Sequence, residues 1–297
     1  MNNHTKSRSG LLFSFILIIL LFIFPLGMLY GAEIKAAVLM TWWNSVQKRD
    51  SLLADCGLDL SIPGGLSTPE SDWFPLVMNF NADQGFSAWM GDQGLRLTVL
   101  YNFPAYDPKD HCSRLYDPQS PYYNSFYGAY LVRSGGEIPF GFKASATDSA
   151  YAGTEEAMEV DPEAVSKVPF YDYQKLVLAD FGLREEDFIF DWKVNQTQSD
   201  LIYAGSSGWT RLDADLQVSG ACHRARPDIF SYMQYGKPAE KNAEDFSPAS
   251  MKGRIYARYF PDQNVSVFFY IVASDEEVLK ACDRKILSRS RISAKQQ

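Results

Sequence analysis

Histidine is scarce in this sequence, with three residues in 297. Imidazole is the side chain that most readily exchanges protons near neutral pH, so few residues are available for acid–base catalysis or a pH switch. His4 precedes a long apolar run near the N-terminus, and only His111 and His223 follow it. Common catalytic and cofactor-binding signatures are also absent, including G-x-G-x-x-G, G-x-x-x-x-G-K-S/T, H-E-x-x-H, G-x-S-x-G and C-x-x-C. We therefore expect no cofactor and favour a binding role over catalysis.

Basic side chains are fewer than acidic ones, 28 against 36, which gives the chain a net charge of -8. Duplex nucleic-acid binders depend on a general positive field, so this balance argues against a nucleic-acid partner. Proline is limited to 15 residues, whereas 46% of the chain is hydrophobic, which excludes disordered and collagen-like chains. The chain is therefore expected to fold.

One long apolar run stands near the N-terminus. Residues 11–30 read LLFSFILIILLFIFPLGMLY and contain no charged side chain. About 20 apolar residues at roughly 1.5 Å each span the ~30 Å hydrocarbon core of a bilayer. Lys6 and Arg8 precede the run and Glu33 follows it. The positive-inside rule therefore keeps the N-terminus in the cytoplasm and sends the rest of the chain across the membrane.

This topology predicts a single-pass protein of the cell membrane. Residues 1–10 form a cytoplasmic basic stub, residues 11–31 a transmembrane signal anchor, and residues 32–297 a single extracytoplasmic domain. A long signal peptide is the alternative for the second region, and the mature chain would then be secreted. We favour the anchor, because the apolar part of a signal peptide is usually shorter and Tyr30 stands where cleavage needs a small residue.

Alternating polar and apolar residues indicate strands over much of the extracytoplasmic part. The clearest element is a hairpin of residues 253–260 and 265–273, whose second strand is apolar on both faces, as a central strand would be. The predicted fold class is α+β, predominantly antiparallel β-sheet of meanders and hairpins with peripheral helices, preceded by the single transmembrane helix. Residues near 144–168 are small and acidic, and they are expected to form a mobile insertion.

Four cysteines lie beyond the apolar run: Cys56, Cys112, Cys222 and Cys282. An even number of cysteines in an exported chain favours two disulfides, and three pairings are possible. We favour Cys56 with Cys282 and Cys112 with Cys222. An anaerobic host would instead leave all four as thiols.

Both later histidines stand beside cysteines, as His111–Cys112 and Cys222–His223. A disulfide between these cysteines would bring the two imidazoles within several ångströms of each other, near Asp107. As thiols, the same residues would resemble a Cys2His2 zinc set that lacks the usual ligand spacing. Three interpretations stay open here: a structural disulfide, a functional polar site beside a disulfide, and metal or thiol chemistry.

Four aspartates, Asp187, Asp191, Asp213 and Asp215, occupy the polar faces of two predicted strands. Clustered carboxylates can bind Ca²⁺ or act as the acid and base of glycoside cleavage. Alternation along a strand also produces such rows on an ordinary solvated face. We favour the solvated face and assign no metal.

An aromatic segment is the third candidate site, since residues 121–130 read PYYNSFYGAY. This composition is typical of surfaces that bind by stacking and adaptable hydrogen bonds, although core packing would use the same residues. The candidate ligand-binding residues are Tyr122, Tyr123, Phe126, Tyr127, Asp107, His111 and His223.

The leading hypothesis is a membrane-anchored extracytoplasmic binding or interaction module, with a carbohydrate or a peptide as its favoured ligand. A cell-surface hydrolase using a carboxylate pair or His111 and His223 is the first alternative, and it requires a deep pocket. A structural subunit of an envelope complex is the second, and it requires a large exposed apolar patch. The expected partners are the membrane, through residues 11–30, and a glycan, a peptide or an envelope protein.

Overall fold

The chain divides into two compact units, Met1–Trp43 and Asn44–Gln297. The computed structural model describes residues 38, 42–62, 76–80, 84–91, 94–102, 106–107, 112–113, 125–144, 158–172, 186, 188–219, 248–273, 275–285 and 287–294. In the first unit these are Val38, Trp42 and Trp43, so the fold below is that of the second unit.

Five helices and thirteen strands are found in the described residues. The helices are α1 at residues 42–49, α2 Leu52–Asp55, α3 Gln84–Met90, α4 Pro162–Asp172 and α5 Glu276–Lys285. The strands are β1 Leu58–Ser61, β2 Leu76–Asn79, β3 Arg96–Asn102, β4 Tyr106–Asp107, β5 Cys112–Ser113, β6 Ser125–Arg133, β7 Phe142–Ala144, β8 Met158–Val160, β9 Phe190–Tyr203, β10 Ser206–Ser219, β11 Pro248–Phe260, β12 Val265–Ala273 and β13 Arg291–Ala294.

Seven of these strands form one antiparallel sheet in the order β2-β3-β6-β12-β11-β10-β9. The remaining strands form three separate two-stranded antiparallel sheets: β1 with β13, β4 with β5, and β7 with β8. The predicted hairpin is confirmed as β11 and β12, joined by a 3-10 turn at Pro261–Gln263 and by Asn264 in the left-handed conformation. Its second strand is the fourth of seven, which confirms the central position that its sequence predicts.

The sheet is buried on both faces around β12, and every residue of this strand is buried. Phe268 and Tyr270 point into one core, which also contains buried side chains of α3 and α4. Phe269 and Ile271 point into the other, which contains buried side chains of α2, β1, α5 and β13. Successive residues of a strand face opposite sides, so a strand between two cores must be apolar throughout.

The α+β class with a dominant antiparallel sheet is confirmed. Part of the acidic stretch near residues 144–168, for which the sequence predicts a mobile insertion, is described and has regular secondary structure. Residues Met158–Val160 form β8, which pairs with β7, and α4 begins at Pro162. The helix starts there because Asp161 Oδ1 accepts hydrogen bonds from the backbone N–H groups of Glu163 and Ala164, at 3.0 and 3.4 Å.

Residues 11–31, where the sequence predicts a transmembrane anchor, lie outside the described residues. Among the helices that the structure describes, none is long and apolar enough to cross a bilayer. The anchor stays a prediction from the sequence.

The close approach at Gly141 gives a test of the core beside α4. Gly141 has φ +85°, and a Cβ there would lie 2.7 Å from Phe268 Cε1 and 2.9 Å from Val165 Cγ1. We expect Gly141→Ala to lower the free energy of unfolding by about 2–4 kcal/mol, because backbone strain and overpacking add. Gly91 is the matched control, since its φ is +76° and nothing lies within 4 Å of its Cβ position. Equal losses in Gly141→Ala and Gly91→Ala, measured by denaturant unfolding, would contradict this account.

Candidate functional site

The predicted aromatic segment is only partly described. Tyr122 and Tyr123 lie outside the described residues, and of Phe126 only the backbone, in β6, is described. Tyr127 follows in the same strand and is 1% exposed, in the core that contains α5. Tyr127 therefore packs in the core, which is the alternative that the sequence analysis gives to a role in ligand binding.

The histidine and cysteine candidates are likewise divided. His111, Cys222 and His223 lie outside the described residues. The backbone of Asp107 is opposite that of Cys112, because β4 and β5 pair in that register. The prediction that the two imidazoles lie near Asp107 stays a prediction, because both histidines lie outside the described residues.

The predicted disulfide between Cys56 and Cys282 is wrong, because both described side chains are thiols. Cys56 Sγ accepts a hydrogen bond from Arg133 Nη2 at 3.0 Å, and Cys282 is fully buried in α5. Burial raises the pKa of the Cys56 thiol, and the Arg133 charge partly offsets the rise. A buried cysteine packs as a small apolar residue, which is how α5 uses Cys282.

The aspartate row does not form a metal site in the described residues. Asp213 and Asp215 lie directly opposite Arg254 and Lys252 in the β10–β11 ladder. Arg254 Nε is 2.5 Å from Asp213 Oδ1, and Lys252 Nζ bonds to Asp215 Oδ1. These cross-strand ion pairs neutralise the carboxylates.

Asp191 is opposite Gln217, and Asp187 lies outside the described residues. Over the described ranges, no three His, Cys, Asp or Glu side chains are close enough together to hold a metal ion.

A buried polar network joins α5 to the sheet. Asp283, 7% exposed, accepts hydrogen bonds from Tyr203 Oη at 2.9 Å, Tyr256 Oη at 2.6 Å and Arg254 Nη1 at 2.7 Å. The two tyrosine rings stack with their centroids 3.6 Å apart. Burial, together with the Asp283 charge, raises the pKa of both tyrosines. These bonds join α5 to β9 and β11, so the network holds the helix on the sheet.

A groove lies on the opposite face of the sheet, between α4 and the terminal strand β9. Its volume is about 580 Å³. The lining residues are Trp89 of α3, Pro162, Glu163, Ser166, Lys167 and Phe170 of α4, and Phe190, Trp192, Lys193 and Val194 of β9. Spacings of three and four residues put the α4 members on one helix face, and alternation puts the apolar β9 members on one strand face.

Four aromatic rings form the apolar wall of this groove. Trp89 stacks on Phe170 at 4.9 Å between centroids, and Phe170 meets Phe190 edge to face at 5.2 Å. Phe190 and Trp192 lie parallel at 6.3 Å. Trp89 is 37% exposed, and the other three are partly buried. The groove therefore presents aromatic surface to solvent while its rings hold one another in place.

The indole of Trp192 occupies space that is left by a glycine two strands away. A Cβ on Gly253 of β11 would lie 2.6 Å from Trp192 Cη2 and 2.7 Å from Leu216 Cδ1. The absence of a side chain at Gly253 therefore lets the indole lie across β10. Its buried Nε1 has no hydrogen-bond partner among the described residues, and such a donor costs about 1–3 kcal/mol.

The sequence indicates only part of this groove. Alternation along residues 188–194, FIFDWKV, puts Phe190, Trp192 and Val194 on one strand face, but the sequence predicts a mobile insertion where α4 forms the other wall. The signal for that wall is Asp161-Pro162, an N-cap residue followed by the residue preferred at the first helical position.

Comparisons with known proteins identify no family. No family model matches the chain, and no curated protein matches it. Among solved structures, that of LpqN, described as involved in cell envelope biogenesis of Mycobacterium tuberculosis, aligns with 81% of this chain and 94% of its own. Its sequence is 13% identical and its TM-score is 0.25. A likeness at this level carries no argument about fold or function.

The Asp283 network gives a stability prediction. Asp283→Asn leaves Arg254 with one charged partner fewer in a buried setting, so we expect a loss of about 3–5 kcal/mol in unfolding free energy. Asp215→Asn is the matched control, because it breaks an exposed pair with Lys252 and should change stability little. Denaturant unfolding of both variants measures the difference. Similar effects would contradict a structural role for Asp283.

The raised tyrosine pKa values give a second, pH-dependent prediction. Above about pH 10 the unfolded chain loses tyrosine protons that Tyr203 and Tyr256 retain in the fold. Unfolding free energy should therefore fall there, by up to about 1.4 kcal/mol per pH unit for each tyrosine. Tyr203→Phe/Tyr256→Phe should reduce this slope, whatever its effect at neutral pH. Equal slopes in denaturant unfolding from about pH 9 to about pH 11 would refute the prediction.

Proposed function

We propose that this protein is a membrane-anchored extracytoplasmic binding module and that it binds an extended peptide in the groove between α4 and β9. The observation that carries the proposal is the set of four mutually packed aromatic rings, partly open to solvent, beside the terminal strand of the sheet. Ligand sites are typically concave, largely apolar and aromatic, with a few polar groups that orient the ligand. This groove has that composition.

The position of β9 supports a peptide over a carbohydrate. In the described strands, β9 pairs with β10 on one side and ends the sheet on the other. An extended peptide can add to such an edge through backbone hydrogen bonds, and every second side chain then points toward one face of the sheet. On the groove side, that face carries Phe190, Trp192 and Val194.

One basic side chain of the groove supports an acidic group in the ligand. Lys167 of α4 lines the groove together with Glu163, whereas Lys193 is on the other face of β9, where its charge helps to lower the pKa of Asp215. A peptide with apolar residues at alternate positions and a neighbouring Asp or Glu matches both the rings and Lys167.

The membrane-anchored, extracytoplasmic location is supported by the sequence of residues 1–33. The uncharged run at residues 11–30 has the length of a transmembrane helix, and basic residues precede it. Extracytoplasmic exposure agrees with a surface that binds peptides outside the cell.

The proposal is tested by peptide binding to the full chain in lipid nanodiscs. The probes are octapeptides with Phe or Leu at every second position, with and without an adjacent Asp. We expect Trp89→Ala to weaken binding about tenfold or more, as truncation of a central aromatic contact does. Lys167→Glu should weaken binding only of the acidic peptides, because it reverses one charge of the lining.

Two variants outside the groove serve as controls. Ile138→Ala removes an apolar side chain that is 54% exposed, and Lys143→Glu reverses an exposed charge in β7. Both should bind the peptides like the unchanged protein. Binding that Trp89→Ala does not affect would exclude the groove. Binding of oligosaccharides instead of peptides, still sensitive to Trp89→Ala, would replace the peptide with a glycan.

A further inference from the structure

A second exposed aromatic surface lies at the start of the described chain. Trp42 is 63% exposed, Trp43 is 44% exposed and Val38 is 61% exposed. Tryptophan is seldom left in water to this extent, since its large ring contributes most when it is buried or placed at an interface. These three residues are called the tryptophan patch below.

The helix that carries the two tryptophans also carries positive charge. Within α1, Lys48 and Arg49 are exposed, and Asp50 follows the helix. Bulky apolar residues beside Lys or Arg are typical of helices that lie in the interface of a bilayer.

The tryptophan patch follows closely after the apolar run in the sequence, and this position favours a lipid surface as its partner. The apolar run ends at Tyr30, 12 residues before Trp42. Even fully extended, 12 residues reach only about 40 Å, so an anchored run keeps the patch close to the membrane surface. Tryptophan is enriched where lipid headgroups meet the hydrocarbon core, because its ring is apolar and its N–H remains hydrated.

We propose that Trp42 and Trp43 insert into the headgroup region of the bilayer that residues 11–30 span. The partner of the tryptophan patch is therefore a lipid surface. This inference rests on the membrane anchoring in the proposed function and does not depend on what the groove binds.

Quenching of tryptophan fluorescence by brominated lipid tests the proposal. The full chain is reconstituted into phosphatidylcholine vesicles with or without bromine on the acyl chain near the headgroup. Two of the six tryptophans belong to the patch, so we expect loss of about a third of the emission. Trp42→Phe/Trp43→Phe should abolish most of the quenching. Trp89→Phe is the matched control, because Trp89 is exposed but lies in the groove, and it should leave the quenching in place.

The outcomes separate this inference from the anchoring on which it rests. Flotation of the vesicles first shows whether the chain is anchored. A chain that floats with the vesicles but is quenched equally with and without Trp42 and Trp43 overturns the lipid contact alone. A chain that does not float overturns the anchoring and the lipid contact together. Because both exposed rings are replaced by Phe, an unchanged circular dichroism spectrum confirms that the variant has kept its fold.

Discussion

The central strand β12 has to be apolar toward both faces of the sheet, and the layers on either side depend on it. Its residues alternate between two cores, with Phe268 and Tyr270 on one side and Phe269 and Ile271 on the other. A sheet with two apolar faces is stable in water only when both faces are covered. Helices α3 and α4 contribute to one cover, and α2, α5 and the β1–β13 pair contribute to the other.

The layers that cover the two faces of the sheet make different contacts with it. On the side of α5, Asp283 receives three hydrogen bonds from sheet side chains, including the charge-assisted bond from Arg254. Such bonds fix orientation, because removing one partner leaves the others buried and unsatisfied. On the side of α4, the contacts to β9 are between aromatic rings, and the last strand of the sheet is only partly covered. Tyr130 Oη of β6 also donates a hydrogen bond to the Val165 carbonyl of α4 at 2.5 Å, but a groove remains between α4 and β9.

How far the sequence predicts this fold depends on whether the signal is local. The β11–β12 hairpin and the α+β class follow from alternation and from one doubly apolar strand, and both are confirmed. The ion pairs of Asp213 and Asp215 could not be predicted, because they depend on the β10–β11 register, which places Arg254 and Lys252 directly opposite. The wrong pairing of Cys56 with Cys282 has the same cause, since an even cysteine count says nothing of which side chains meet.

The groove shows most clearly why a site can escape prediction. Alternation in the sequence predicts the strand that forms one wall of the groove. The position of Trp192 in that wall depends on Gly253, which is 61 residues later in the chain and two strands away in the sheet. A glycine in a strand ordinarily signals a bulge or a weak point, and here it provides the space that an indole fills. The ring is therefore held by the same packing that forms the core. In the peptide binding that we propose, rings that are already fixed lose little conformational entropy when the ligand arrives, so the packing at Gly253 would favour that binding.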